Sequence, residues 1–337
     1  MNGKKVLITG ASGFIGSTAV DKALELGYET WAGIRATSSR RYLQDERIRF
    51  IDLYYGDKEK LKEQLRQFRD KHGRFDHVIH IAGLTKALRK PDFDRVNYLY
   101  TRNLAEALME TDSLADSFVL MSSLGVMGTG DETGYTPIGA DHIPNPNTAY
   151  GKSKLKAENY LKSLTGFPWL ILRPTGVYGP RDSDYLILMK TVKNGLAVGA
   201  GLRKQMLSFI YSDDLVRVIF TLIEKGIRQK EYHVADGDCY TDSEFNALVQ
   251  RALRRKHVVR FKVPLFLVSL AAFVCEKGGA LLGSATTLNT DKYRIMKQRN
   301  WTCDIAPLQS DIDFVPVYRL EEGVNKTVAW YREQGWL

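Results

Sequence analysis

Tyr150-Gly151-Lys152-Ser153-Lys154 places a phenol four residues ahead of an amine. On a helix, positions i and i+4 share a face, so the Lys154 ammonium would stand beside the Tyr150 phenol. A free phenol titrates near pH ~10, and an adjacent cation favours the phenolate. Such a tyrosine can exchange a proton with a carbonyl or alcohol oxygen near neutral pH. The spacing alone is weak, since Tyr98 and Arg102 repeat a similar one by chance. Ser122-Ser123 add weight because they close the apolar run FVLMS. The carboxyl ends of parallel strands face the ligand crevice of an α/β sheet, and a hydroxyl there can bond the reacting oxygen. Ser123 is the first candidate and Ser122 the second. The plain alternative is a pair of turn serines.

The second chemical feature is Thr9-Gly10-Ala11-Ser12-Gly13-Phe14-Ile15-Gly16, with glycines at three-residue spacing directly after the first apolar run. Helix N-termini carry unpaired N–H groups and partial positive charge, which stabilise a pyrophosphate. Glycine lets the backbone approach without a Cβ clash. Gly10, Ser12, Gly13, Phe14, Ile15 and Gly16 are therefore expected to hold a dinucleotide. An NAD site usually has an acid about 20 residues past the glycines. Here the stretch Trp31–Arg41 contains no Asp or Glu, but has Arg35, Arg40 and Arg41 with Ser38 and Ser39. Guanidinium forks suit a ribose 2′-phosphate. The expected cofactor is NADP(H), with NAD(H) less favoured, and Arg35, Ser38, Ser39 and Arg40 as the phosphate ligands. Arg41 reads better as a solvated charge. Asp52-Leu53, after the third strand, would meet the adenine.

These groups need a scaffold. Apolar runs at Lys5–Thr9, Glu29–Ile34, Ile48–Leu53, His77–Ala82, Phe118–Ser122 and Trp169–Leu172 read as strands. Between them, Ile15–Leu26, Glu59–Lys71, Phe93–Met109 and Tyr150–Leu164 carry helical periodicity. Strands alternating with helices imply a doubly wound parallel sheet, a Rossmann fold. After Pro174 the rhythm weakens, and a smaller C-terminal α/β substrate lobe is expected there. The anticipated division is 1–174 and 213–229 for the NADP-binding domain, with 175–212 and 230–337 for the substrate lobe.

Composition narrows the classes. The 337 residues are 44% hydrophobic and 26% charged, which suits a soluble globular chain. Three scattered cysteines, with no paired spacing, suit free thiols and a cytoplasmic location. No secretory leader is read at the amino terminus. The apolar stretch Val263–Cys275 is too short to span a bilayer. It reads as a buried or pocket-lining helix, with membrane-surface contact as the alternative. The net charge of +9 favours anionic ligands, but no aromatic stacking pattern accompanies it, and nucleic acid is not expected. His77 and His80 would point to opposite faces of a strand, so no metal site is expected.

Taken together, TGASGFIG, Ala82-Gly83, Asn97 with Asn103-Leu104, SSLGVMG, YGKSK, LRPTGVYGP and FIYSDDL resemble, in order and spacing, the extended short-chain dehydrogenase/reductase family, also called the NAD-dependent epimerase/dehydratase family. The resemblance implies that Ser123 is the active-site hydroxyl and Tyr150 the acid/base. Lys154 would also bind the nicotinamide ribose. It puts Ala82 and Gly83 against the cofactor, and Arg173-Pro174 and Val177-Tyr178-Gly179 around the nicotinamide. Asp213-Asp214 would tie the returning segment to the nucleotide domain. Homodimerisation through the 93–109 and Tyr150 helices is implied as well. Two departures stand out. Nucleotide-sugar enzymes usually carry an Asn where this chain has Gly176, and an Arg where it has Leu207; Arg203 and Lys204 could partly replace the latter. The carboxyl-terminal third looks like the branch near dihydroflavonol reductases and 3β-hydroxysteroid dehydrogenases. The leading expectation is a reductase or dehydrogenase acting on a small, partly apolar substrate. A nucleotide-sugar epimerase or dehydratase using the same Ser-Tyr-Lys set is the first rival, and an NADP-binding sensor without turnover is the second.

Overall fold

Buried on both faces, the β-branched run Lys5–Thr9 forms β1, the strand on which the sheet is built. The computed structural model describes residues 3–281, 286 and 288–337. Met1 and Asn2, part of the amino-terminal reading, lie outside the described residues. In chain order the next elements are α1 (Phe14–Glu25), β2 (Glu29–Gly33), β3 (Arg49–Ile51), α2 (Lys58–His72) and β4 (His77–His80). Then come α3 (Pro91–Phe93), a π-helical turn (Asp94–Leu99), α4 (Tyr100–Glu110), β5 (Ser117–Met121), α5 (Ala149–Ser163) and β6 (Trp169–Pro174). The remainder comprises β7 (Gly176–Tyr178), α6 (Asp184–Lys193), β8 (Leu196–Ala200), β9 (Met206–Leu207), β10 (Phe209–Tyr211), α7 (Ser212–Glu224) and β11 (Lys230–Val234). It closes with β12 (Tyr240–Thr241), α8 (Asp242–Ala252), β13 (Val259–Val263), α9 (Leu265–Leu281), α10 (Thr290–Met296), β14 (Asn300–Trp301), α11 (Ala306–Ile312) and α12 (Leu320–Glu333).

Seven strands form the main sheet in the order β11-β6-β5-β4-β1-β2-β3. Its pairs from β3 through β6 are parallel. The expected doubly wound Rossmann sheet is thus present, with the strand order reversing at β1. That reversal opens a crevice at the carboxyl ends of β1 and β4. The long helix expected over 93–109 is broken in character, because Asp94–Leu99 winds as a π turn.

Two compact units divide the chain. The first holds 1–123, 152–173 and 216–232, and the second holds 124–151, 174–215 and 233–337. In the first, Leu61, Leu65 and Phe68 of α2 pack with Leu104 and Leu108 of α4 against Leu7, Val78 and Phe118 of the sheet. That is the period-3.6 stripe of α2 meeting the apolar face of the strands. In the second, Tyr178, Phe209, Phe245, Val324 and Tyr331 centre an aromatic core. Asp214 there accepts the N–H groups of Val317 (3.1 Å) and Tyr318 (2.8 Å). It fixes the segment leading into α12, a partner that the two-residue Asp213-Asp214 signal did not reveal. No described helix is long and apolar enough to cross a membrane.

One ion pair in the first unit is fully withdrawn from water. Glu158 on α5 takes three bonds from the Arg173 guanidinium on β6, at 3.1, 3.2 and 2.6 Å, with side-chain exposures of 0% and 3%. Arg173 also reaches Glu231 at 3.2 Å. Breaking such a pair strands a buried charge. Glu158→Gln should therefore lower unfolding free energy by about 3–5 kcal/mol in urea titrations. The double variant Glu158→Leu with Arg173→Met should lose clearly less than the sum of the single changes. Equal and additive losses would contradict a coupled pair.

Candidate active site

Lys154 sits in the second turn of α5, and its side chain is almost wholly buried at 4% exposure. Its Nζ donates to the Met121 carbonyl at the end of β5, 2.8 Å away. Gly83, three residues past β4, makes room for it. A Cβ at Gly83 would lie 3.0 Å from Lys154 Nζ and 2.9 Å from Asn97 Oδ1. Burial pushes the Lys154 amine down to about 8, and the carboxylate of Glu158, one helical turn on, pulls the other way. A lysine tuned to that range changes charge close to neutral pH, which a surface lysine does not.

Four buried polar groups carry this arrangement back to the glycine loop. Asn97, on the π turn, accepts the Leu84 N–H (2.7 Å) and donates to the Leu84 carbonyl and Ser153 Oγ (both 3.0 Å). Thr101 Oγ1 donates to the Asn97 carbonyl (2.9 Å) and lies 3.0 Å from His80 Nε2. His80 Nδ1 lies 2.8 Å from Thr9 Oγ1, which in turn accepts the Ala82 N–H. Proton accounting fixes the tautomer. The Thr101 hydroxyl hydrogen is spent on Asn97, so Nε2–H must donate to Thr101 and Nδ1 must accept from Thr9. A neutral ring is required, and burial together with the Lys154 ammonium holds His80 down at about 3. The sequence reading placed Asn97 among the landmarks, named Thr9 only within the glycine segment and His80 only as a discounted metal ligand, and did not name Thr101. Their only signal was polarity inside otherwise apolar strands and helix faces.

The two candidate serines differ in what they touch. Ser122 is buried, and its hydroxyl donates to Glu158, the partner of Arg173. Its hydrogen is committed to a structural pair. Ser123 is only half-buried at the carboxyl end of β5. Tyr150 lies one turn ahead of Lys154 in α5, on the same helix face. The start of that helix is held by Thr148 Oγ1, which accepts the Gly151 N–H (3.0 Å), and by Asp291, which accepts the Ala149 N–H (2.9 Å). The Arg173 guanidinium is engaged by Glu158 and Glu231. Pro174 ends β6, and Val177 pairs with Ile210 between β7 and β10.

The glycine loop joins β1 to α1. Gly10 is left-handed (φ +67°), and a Cβ on it would lie 2.8 Å from Ala82 N. A Cβ on Gly16, in the first turn of α1 with Phe14 and Ile15, would lie 2.1 Å from Gly10 O. Gly13 closes the turn on Gly10 O (3.0 Å) and stands as N-cap without any side-chain cap, beside Ser12. No acidic residue occupies the first turn. Such an uncapped, unopposed N-terminus fits a pyrophosphate. Past β2, Arg35 is exposed, its N–H donates to Ser38 Oγ (3.2 Å), and Ser39 Oγ accepts the Arg41 N–H. Arg40 stacks its guanidinium 4.1 Å over the Phe50 ring. Asp52 accepts the Ala36 N–H at 3.0 Å and so pins this loop to β3, while the Leu53 side chain is packed in the core. No group of metal-ligating side chains occurs among the described residues.

Residues 6–235 match the family described as "NAD dependent epimerase/dehydratase family". A protein of Methanocaldococcus jannaschii named "Putative UDP-glucose 4-epimerase" is 30% identical over 226 residues, 63% of this chain and 71% of that one. The ceramide reductase of Caulobacter vibrioides is 24% identical over 335 residues, 98% of this chain and 96% of its own. The crystal structure of Thermus thermophilus UDP-glucose 4-epimerase in complex with NAD shares the fold, with a TM-score of 0.77 at 22% identity, covering 97% of this chain and 99% of that one.

The lowered Lys154 pKa gives a stability test. The unfolded amine titrates at 10.5 and the folded one at about 8, so between these values the unfolded chain binds more protons. Stability contributed through this group therefore rises with pH across that window. The difference in unfolding free energy between wild type and Lys154→Met should move in favour of wild type as pH rises from about 8 toward 10.5. A pH-independent difference would contradict a depressed pKa.

Proposed function

Because the chain belongs to the NAD dependent epimerase/dehydratase family, we propose that it is an NADP(H)-dependent oxidoreductase acting on a carbonyl or secondary alcohol of a small, partly apolar substrate. When bound, the dinucleotide supplies or takes the hydride. Gly10, Ser12, Gly13, Phe14, Ile15 and Gly16 would hold its pyrophosphate. Arg35, Ser38, Ser39 and Arg40 would hold the 2′-phosphate, and Asp52 and Leu53 the adenine side. Ala82, Gly83, Ser122, Pro174 and Val177 complete the cradle. Tyr150 moves a proton between its phenol and the substrate oxygen. Ser123 donates a hydrogen bond to that oxygen, and Lys154 favours the Tyr150 phenolate and holds the nicotinamide ribose. The proposal includes a homodimer through α4 and α5.

The observation that carries this reading against the nucleotide-sugar one is Gly176. Nucleotide-sugar enzymes resembling this chain carry an Asn there. A Cβ at Gly176 would lie 2.3 Å from Tyr185 Oη and 3.2 Å from Phe209, so aromatic side chains fill the space an amide would need. Leu207, where those enzymes carry an Arg, lies in β9 opposite Tyr240 and Trp301. The full-length similarity to a ceramide reductase supports an apolar substrate. The similarity to a named UDP-glucose 4-epimerase favours the second reading, in which hydride leaves and returns within one turnover.

Purified protein is tested for NADPH and NADH consumption with sterol, hydroxyflavanone, long-chain ketone and simple aldehyde substrates, beside UDP- and dTDP-sugars. Net NADPH oxidation with an apolar carbonyl is expected. Tyr150→Phe should lower kcat by roughly 10²–10⁴-fold with cofactor binding retained. Arg35→Glu should shift the NADPH/NADH preference in kcat/KM at least about tenfold toward NADH, since each charge-assisted bond lost is about 1.5–3 kcal/mol. Interconversion of a sugar nucleotide with no net cofactor consumption would establish the second reading instead.

A further inference from the structure

Within the second unit, α9 is apolar on both sides. Val268 and Ala272 form its buried stripe. Opposite them, Phe266 is 70% exposed, Leu270 59%, Phe273 53% and Val274 59%. At 3.6 residues per turn these four crowd the outward half of the helix. Lys277 stands beside them, its Nζ 5.7 Å from the Phe273 ring centroid. A helix apolar all round belongs in a core or against lipid.

The surface continues ahead of α9. β8 and β13 pair in parallel, with Leu196 opposite Val259 and Val198 opposite Phe261. These four side chains are all exposed, whereas Ala197, on the other side of the pleat, is buried. Gly201, just past β8, would put a Cβ 3.2 Å from the Leu265 side chain, so sheet and helix adjoin. Large contiguous apolar patches on a water-facing surface mark an interaction site.

A basic cleft borders the same sheet. It has a volume of about 650 Å³ and is lined by Lys193, Asn194, Leu253, Arg254, Arg255, Arg332 and Leu337, so four side-chain cations face at most the Leu337 carboxylate. The Arg332 guanidinium donates to the Leu253 carbonyl and not to a carboxylate. Asn194 and Gly195 lead directly into β8, and the Val259 N–H bonds Gly195 O at 2.9 Å. The cations therefore stand at the Leu196–Val259 end of the apolar strands.

We propose that this surface docks on an anionic lipid membrane, with the α9 and β8–β13 side chains in the headgroup boundary and the cleft cations on lipid phosphates. Burial of apolar side chains and attraction of basic ones to an anionic leaflet are the two forces that hold interfacial proteins. A second copy, meeting this face symmetrically, brings cations to cations, whereas anionic headgroups bring charge opposite to the cleft's net positive one. α9 has 17 residues and is about 25 Å long, so it lies on the membrane and does not cross it.

Co-sedimentation of the full chain with vesicles of phosphatidylglycerol and phosphatidylcholine, beside phosphatidylcholine alone, tests this without any turnover assay. Its outcome is therefore separable from that of the proposed reaction. Wild type should bind the anionic vesicles preferentially. Phe266→Ser with Phe273→Ser should weaken that binding at least about tenfold while leaving the thermal midpoint unchanged, because both side chains are exposed. Arg254→Gln with Arg255→Gln should weaken it by a similar factor on anionic vesicles only, at roughly the strength expected for two juxtamembrane cations. Phe273→Trp, an otherwise unaltered surface, should blue-shift its emission on the vesicles. Wild type left in the supernatant with both vesicles, or binding that none of these changes alters, would overturn the proposal. A dimer in sedimentation equilibrium that the double serine variant dissociates would overturn it too, and would assign the face to a second copy.

Discussion

Everything at the centre of this protein follows from keeping a lysine ammonium out of water. Lys154 has one carbonyl, that of Met121, within bonding distance, and the packing around it is closed by Gly83 and Asn97. An amine in such a place gives up its proton more readily than on a surface. It also exerts its field through little solvent, which strengthens any charge interaction it makes. The π turn at Asp94–Leu99 serves the same end, since it carries Asn97 to the position where its amide bridges Leu84 and Ser153.

The chain from Thr9 through His80, Thr101 and Asn97 to Ser153 joins the strand before the glycine loop to the helix that bears Lys154. Each member uses its hydrogens in a fixed direction, and this directionality requires a neutral imidazole. A fully satisfied buried network rigidifies what it connects. The glycine turn and the lysine thus share one polar spine within the first unit. The Glu158–Arg173 pair is a second spine, between α5 and β6, and it draws the Ser122 hydroxyl into structure.

The sheet was legible because each strand of the first half is a continuous apolar run, and each helix repeats its apolar residues at helical spacing. The glycine turn and the Tyr150–Lys154 spacing were legible because both are local patterns. What depended on distant partners was not. Ser123 already ranked ahead of Ser122, but the bond from Ser122 to Glu158, itself held by Arg173 fifteen residues away, could not be read from the spacing. The rhythm was lost after Pro174 because β9, β12 and β14 are two residues each, too short to show a period of two. In α9 the run of apolar residues could not say which side faces outward, since a helix apolar all round has no polar face to mark the solvent.

The most direct measurement is the titration of Lys154 itself, by NMR of the lysine ¹³Cε resonances, with Lys154→Arg identifying the signal. A midpoint near 8 is predicted, as burial dictates. A midpoint at the ordinary 10.5 would mean that the amine is solvated, and the account of the site would be wrong.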